Sequence, residues 1–329
     1  MKNTILAFAV LFALASCSKD GDGDDENLTP NPTNIDYRQE MRNFVIGISE
    51  KAKGAHPGFA VIPQNGIELI SQTGEAAAAL NTDYLNAIDG HGQENLFYGY
   101  NFDYEPTPQA TTDYIKSYLD RSKAEGKTIL VTDYCNTPAT MANSYSLNAT
   151  NGYISYAAAK RDLDTIPQEA PHNENADNIT QLSQAKNFLY LINPEHYPTK
   201  EAFITAVTAT NYDVLIMDMF LNEESFTAAE VNLLRNKANG GKRMVICYMS
   251  IGEAENYRYY WQEEWNVSRP AWAPAENPDW PGNFVVRYWD AEWQGIIYKN
   301  EGSYLDRILQ NNFDGVYLDI IDAFEYFEQ

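Results

Sequence analysis

The chain has 329 residues, with 23 Lys plus Arg against 46 Asp plus Glu, a formal charge of −23. At 44% apolar and 21% charged residues it can bury a large core, and wholesale disorder is excluded. No basic stripe remains to neutralise phosphates, which argues against nucleic acid or an anionic lipid surface as a partner. Three Cys and four His are too few for a disulfide framework or a rich metal cluster.

Residues 1–16 carry Lys2 and then an apolar run from Ile5 to Ala15. The run is too short to span a bilayer and has the form of a secretory signal peptide. Leu14-Ala15-Ser16-Cys17 resembles the lipobox of bacterial lipoproteins, which implies cleavage before Cys17 and lipid on its sulfur. The expected location is the cell envelope, with the chain lipid-anchored to a bacterial outer membrane on its periplasmic side or at the cell surface. That anchor is the sole membrane contact expected. Residues 17–34 are acidic and contain two Pro, as in a flexible tether. Asp20, Asp22 and Asp24 have calcium-loop spacing. However, Asp25 stands where that loop needs Gly, and no Glu follows at its twelfth position.

From residue 35 to 329 short apolar runs alternate with helical intervals, as in one domain. Eight runs read as strands: Phe59–Ile62, a segment around Asn86–Tyr100, Thr128–Val131, Phe188–Ile192, Tyr212–Met217, Met244–Tyr248, Phe284–Tyr288 and Val316–Leu318. Most are continuously apolar, the pattern of parallel strands buried on both faces. Helices are expected over Asp113–Glu125, Lys200–Thr210, Thr227–Ala238 and Gly302–Asn311, with Thr227 and Glu230 forming a capping box. Eight βα-type units imply an α/β fold, a TIM (β/α)8 barrel. Barrel sites collect at the C-terminal strand ends. Asn65, Asp133, Asn193, Asp218, Glu253, Asp290 and Asp319 all fall there, although any one of them could be a cap or turn residue.

The sequence has no G-x-S-x-G elbow, H-E-x-x-H, paired C-x-x-C or P-loop. Cys135 and Cys247 lie in or beside strands and read as buried small apolar residues. What remains is carboxylates framed by aromatics, the equipment of glycoside hydrolysis. Tyr257, Tyr259, Tyr260, Trp261, Trp265, Trp289 and Trp293 offer flat faces for sugars, or simply pack between strands and helices. No metal or organic cofactor is implied.

Met244-Val-Ile-Cys-Tyr-Met-Ser-Ile-Gly-Glu-Ala-Glu-Asn-Tyr-Arg258 and Phe313-Asp-Gly-Val-Tyr-Leu-Asp-Ile-Ile-Asp322 resemble glycoside hydrolase family 114. So do Asn211–Phe220 and Trp280–Asp290. Members of that family are TIM-barrel endo-α-1,4-polygalactosaminidases. In them the strand like Gly315–Asp319 is followed by a helix, a strand ending in Asn and a strand ending in the catalytic Glu. Here Met41–Lys53, Gly58–Asn65 and Tyr84–Glu94 look like those elements, placed first. The resemblance therefore implies a circularly permuted barrel, residues 37–193 supplying its second half and 211–322 its first. A separate N-terminal domain beside a half barrel is the alternative. A single barrel requires Phe59–Ile62 to pair in parallel with Val316–Leu318.

Carried over by the resemblance, Asp319 matches the nucleophile and Glu94 the acid/base. Asp218, Tyr248, Glu253, Glu255 and Arg258 match positions lining the mouth, and Asn65 a polar strand end. Asp322, three residues after Asp319, competes with it and is grouped with the substrate-binding positions. Asp319 is expected to stay ionised, and Glu94 to hold the proton. Propensity alone makes Leu96–Tyr100 the second strand and leaves Glu94 in a loop, whereas the resemblance ends a Gly-rich strand at Glu94. The implied function is retaining hydrolysis of an α-linked, galactosaminan-like amino-sugar polysaccharide. The alternative is a carbohydrate-binding surface lipoprotein without catalysis.

Overall fold

The computed structural model describes residues 35–328, so the leader, Cys17 and the tether lie outside the described residues. Four helix–strand units open the fold. α1 (Tyr37–Ala55) leads to β1 (Ala60–Pro63), and α2 (Thr82–Ala87) to β2 (Gly90–Glu94). α3 (Gln109–Ala124) leads to β3 (Thr128–Tyr134), and α4 (Pro138–Asn151) to β4 (Ile154–Ala158). Local chemistry marks these boundaries. Asp36 caps α1 by accepting from Gln39 N–H, Thr137 caps α4 with Pro138 in the first turn, and Gly152 ends α4 in the left-handed region.

The connection from β4 to β5 (Phe188–Leu191) contains only a short 3₁₀ turn at Leu182–Gln184. It runs past the strand starts, where Asn178 bridges to Lys242 and Leu182 packs where a side chain on Gly90 would lie. Then come α5 (Lys200–Thr208), β6 (Val214–Met217), a small hairpin of β7 (Phe220–Leu221) and β8 (Glu224–Ser225), α6 (Ala228–Leu234) and β9 (Met244–Ser250). Thr227 and Glu230 form the expected capping box on α6. After β9 the chain leaves the main sheet for an antiparallel excursion, β10 (Glu253–Glu255), β11 (Ala275–Glu276) and β12 (Asn283–Val285), with β12 in the middle. α7 (Ala291–Gln294), α8 (Tyr304–Gln310), β13 (Gly315–Asp319) and α9 (Phe324–Phe327) finish the described chain. Among the described residues no helix is long and apolar enough to cross a membrane.

The fold is α/β with parallel main sheets. One sheet runs β1-β13-β9-β6-β5 and a second β2-β3-β4. β1 pairs in parallel with β13, Val61 opposite Val316 and Ile62 opposite Tyr317, as the sequence requires. Nothing local enforces a pairing over 250 positions. Ala60–Pro63 and Gly315–Leu318 are buried throughout, and registry preserves that burial. The two sheets meet at β1 and β2 through the parallel bridge Gln64–Gly92 and a bond from Asn65 N–H to Gly92 O of 2.9 Å. Across the other junction Tyr156 of β4 meets Phe188 of β5 with ring centroids 5.9 Å apart.

Two strand assignments need correction. Phe284–Tyr288 does not join the parallel strands; its start forms β12 of the antiparallel excursion. The further parallel strand is β4, Ile154–Ala158, which the sequence reading left out. The conflict at Glu94 is also resolved. β2 is the Gly-rich strand, Glu94 ends it opposite Thr132, and Leu96–Tyr100 lies beyond it. Glycine is required there because a Cβ on Gly92 would sit 2.1 Å from the Tyr317 hydroxyl.

Candidate active site

β13 and β2 carry the two carboxylates. Asp319 is the last residue of β13 and Glu94 the last of β2, with β1 between them. Tyr248, on the other neighbour β9, donates its hydroxyl to Asp319 at 2.6 Å. Glu94 accepts from the Gln64 amide at 2.7 Å on one oxygen and from the Tyr134 hydroxyl on the other. Gln64 is itself oriented by Tyr190, whose hydroxyl donates to its carbonyl at 2.9 Å. Arg161 stacks over the Tyr134 ring at 3.9 Å and donates to Asp103 at 2.8 Å. Gln64, Tyr134 and Tyr190 were not picked out from the sequence. Their only sequence signal is a place in or beside a strand.

Burial, then the charge of Glu94, push the Asp319 carboxyl from its ordinary 3.8 up to about 7. Tyr248 and the Ile320 N–H oppose that rise. That direction runs against the expectation that Asp319 stays ionised, because burial beside a second carboxylate favours its protonated form. Asp322, on the 3₁₀ turn after β13, is also raised to about 7, by burial and then by Asp319.

Ile320, between them, has φ of 57°, left-handed backbone that a β-branched residue rarely adopts. That turn aims its N–H at the Asp319 carboxylate. Its carbonyl lies where a side chain on Gly252 would be, with 2.1 Å left for a Cβ. Backbone strain of this kind is maintained by the packing around it.

The other sequence-selected residues divide into groups. Asp218, at the end of β6, pairs with Arg258 at 2.6 Å, and Arg258 pairs with Glu255 at 2.5 Å. All three are buried. Burial raises the Asp218 carboxyl, and Arg258 counters it. Glu255 also acts on the Asp319 carboxyl, so this cluster borders the first. Glu253 faces elsewhere: it accepts from Asn277 at 2.7 Å and Asn283 at 3.3 Å within the antiparallel excursion. Asn65 adopts left-handed backbone and accepts from Glu94 N–H at 3.1 Å, fixing the end of β2. Of the other strand-end residues, Asp133 is filled by Ser144, Asn148 and two backbone amides, Asp290 caps α7, and Asn193 is exposed.

The aromatic group divides as well. Trp293 is buried, and Tyr259, Tyr260, Trp261, Trp265 and Trp289 pack against the core. Tyr257 alone of the group is exposed. Cys135 and Cys247 are buried free thiols.

Comparison with known protein families covers the C-terminal part of the chain, which contains Asp319 but not Glu94. Residues 168–329 match the family model described as glycoside-hydrolase family GH114. An uncharacterized protein of Methanocaldococcus jannaschii is 36% identical over 179 residues, 54% of this chain and 49% of the relative. An uncharacterized protein of Deinococcus radiodurans is 45% identical over 123 residues, 37% of each chain. One of Thermotoga maritima is 49% identical over 84 residues, 26% of this chain and 25% of the relative. The chain thus spans half or less of the length of these relatives.

Proposed function

From the match of residues 168–329 to the model of glycoside hydrolase family 114, we propose that the chain hydrolyses an α-linked amino-sugar polysaccharide with retention, through Asp319 and Glu94. The observation that carries this reading is placement: Asp319 ends β13 and Glu94 ends β2, with β1 between them. They are remote in sequence, yet Glu94 is the largest charge effect on Asp319. In the first step an Asp319 oxygen bonds to the anomeric carbon, the glycosidic bond breaks, and the Glu94 proton passes to the leaving oxygen. In the second step Glu94 takes a proton from water, whose oxygen replaces Asp319 at the same carbon. An ammonium group on the sugar favours this chemistry, because a cation beside the pair drives Asp319 to its ionised form.

The scaffold in this reading is one closed barrel, circularly permuted. Support comes from the parallel pairing of β1 with β13, the bridge from β1 to β2 and the contact of β4 with β5. The lipobox-like Leu14–Cys17 supports lipid attachment at Cys17, cell-envelope placement and a secreted, tethered domain. The test is digestion of a panel of amino-sugar and neutral polysaccharides. Wild type should shorten an α-1,4-galactosamine polymer, and Asp319→Asn should lose that activity while remaining folded. Glu94→Gln should lose about 10²–10⁴-fold, with activity recovered in the first step on substrates that have good leaving groups. Wild-type rates in both variants overturn the assignment.

A further inference from the structure

A surface tyrosine ordinarily lays its ring on the protein and leaves its hydroxyl in water. Tyr257 does the reverse. The residue is 62% exposed, yet its hydroxyl donates to buried Glu255 at 2.5 Å. Burial and that carboxylate push the phenol well above its ordinary range. Arg258, held by Asp218 and Glu255, lies 5.2 Å from the ring centroid and backs one side of the ring. The ring is therefore anchored at its polar tip on a residue that is largely exposed. Anchoring of this kind removes in advance much of the side-chain entropy that a bound ligand would otherwise have to freeze.

A second exposed aromatic residue stands on the adjoining backbone. Trp280 is 60% exposed on the turn between β11 and β12. That turn is closed by Asn283 N–H donating to Trp280 O at 3.0 Å. It is fastened to the residue before Tyr257 by Asn256 N–H donating to Gly282 O at 2.9 Å. Gly282 has φ of 92° and its missing side chain would meet Asn256, so the turn approaches closely there. Tyr257 and Trp280 thus lie at the same end of the β10–β12 sheet.

We propose that Tyr257 and Trp280 form a stacking platform for pyranose rings of the polysaccharide, beyond the sugar held at Asp319. This rests on the carbohydrate reading above. The platform adjoins the buried Asp218–Arg258–Glu255 group, because Glu255 accepts from the Tyr257 hydroxyl and pairs with Arg258, which pairs with Asp218. A pyranose ring matches the surface because it presents C–H faces to the rings and hydroxyl edges to the polar groups around them. The occupant is therefore the substrate chain itself, extended along the face of the excursion.

The test uses the full chain carrying Asp319→Asn, which prevents turnover, with binding read by calorimetry. The probes are galactosamine and an α-1,4-galactosamine hexasaccharide. Adding Tyr257→Ala or Trp280→Ala should weaken the hexasaccharide roughly 3–10-fold and leave galactosamine almost unaffected. Tyr257→Phe, which keeps the ring and loses its anchor, should fall between Tyr257→Ala and its parent. Thermal unfolding of Trp280→Ala should match its parent, which separates the binding role from folding. Equal hexasaccharide affinity in all variants overturns the platform and leaves the hydrolase reading standing. Equal weakening of both probes also overturns it, since the residues would then act on the Asp319 end alone. Absence of any saccharide binding overturns the platform together with the carbohydrate reading, and leaves a protein partner to account for the exposed aromatic residues.

Discussion

Two groups of carboxylates stand side by side at the strand ends, and they handle charge in opposite ways. Asp218 and Glu255 share Arg258, at 2.6 and 2.5 Å, and the triad is buried. Asp319 has Glu94 and Asp322 about it and, among the described residues, only a phenol, from Tyr248, as a side-chain donor. The first group is neutralised as far as one cation allows and orients its surroundings. The second is left short of positive charge, which costs stability and favours the protonated form of Asp319. The difference separates carboxylates paired with a cation from carboxylates left beside one another, the arrangement that marks a candidate reactive group.

Removing the cation should break the first group outright. Arg258→Met leaves two buried carboxylates facing each other, and denaturant unfolding should show a loss of about 3–5 kcal/mol. A loss below 1 kcal/mol would mean that the triad contributes little and the contrast is wrong. Removing a charge from the second group should have the opposite sign. A carboxyl raised from 3.8 to about 7 makes the folded state bind more protons than the unfolded state between those values, so stability falls as pH rises through that window. Asp319→Asn should therefore stabilise the protein at pH 8, by up to about 4 kcal/mol, and the gain should vanish near pH 4. A pH-independent gain would sink this explanation.

A backbone change tests how closely the second group is held. Gly92→Ala forces a methyl group onto the Tyr317 phenol next to Glu94. It should cost about 1–3 kcal/mol and lower activity further than the stability loss explains. The smallest effect is on the pH profile. Below about pH 7, kcat/KM should fall toward tenfold per unit as free Asp319 takes up its proton. The acid limb of kcat should lie lower, because bound ammonium favours the ionised form.

The parts of the molecule that were legible from sequence share a physical basis. Phe188–Leu191, Val214–Met217 and Met244–Ser250 are apolar because both faces are covered, so composition alone reveals them. β2 has the opposite composition, Gly-His-Gly-Gln-Glu. Its glycines answer to Tyr317, Leu182 and Leu130, partners remote in the chain, and propensity therefore favoured Leu96–Tyr100 instead. β4 was missed because Ile-Ser-Tyr-Ala-Ala has little β-branched content. Phe284–Tyr288 has the composition of a central strand but turns out of the main sheet, a choice made by tertiary packing.

The site followed the same rule. Asp319, Glu94, Asp218 and Arg258 were legible through motif resemblance. Gln64, Tyr134 and Tyr190 become a hydrogen-bonded set only when β1, β3 and β5 come together around Glu94. Asp133 and Asp290, equally well placed in sequence, are engaged elsewhere: Asp133 accepts from the Phe97 and Tyr98 amides and from Ser144 and Asn148 of α4, and Asp290 caps α7. The strained backbone at Ile320 has no sequence signature at all, since Ile is among the residues least suited to left-handed backbone.

The most direct test of the carboxylate pair is to trap the intermediate. The protein is incubated with a 5-fluoro galactosaminyl fluoride and digested, and the peptide containing Asp319 and Asp322 is sequenced by mass spectrometry. One glycosyl unit should be found on Asp319, and none should form in Asp319→Asn. An adduct on Asp322 or Glu94, or full polymer cleavage by the Asp319→Asn variant, would contradict the assignment of Asp319 as nucleophile.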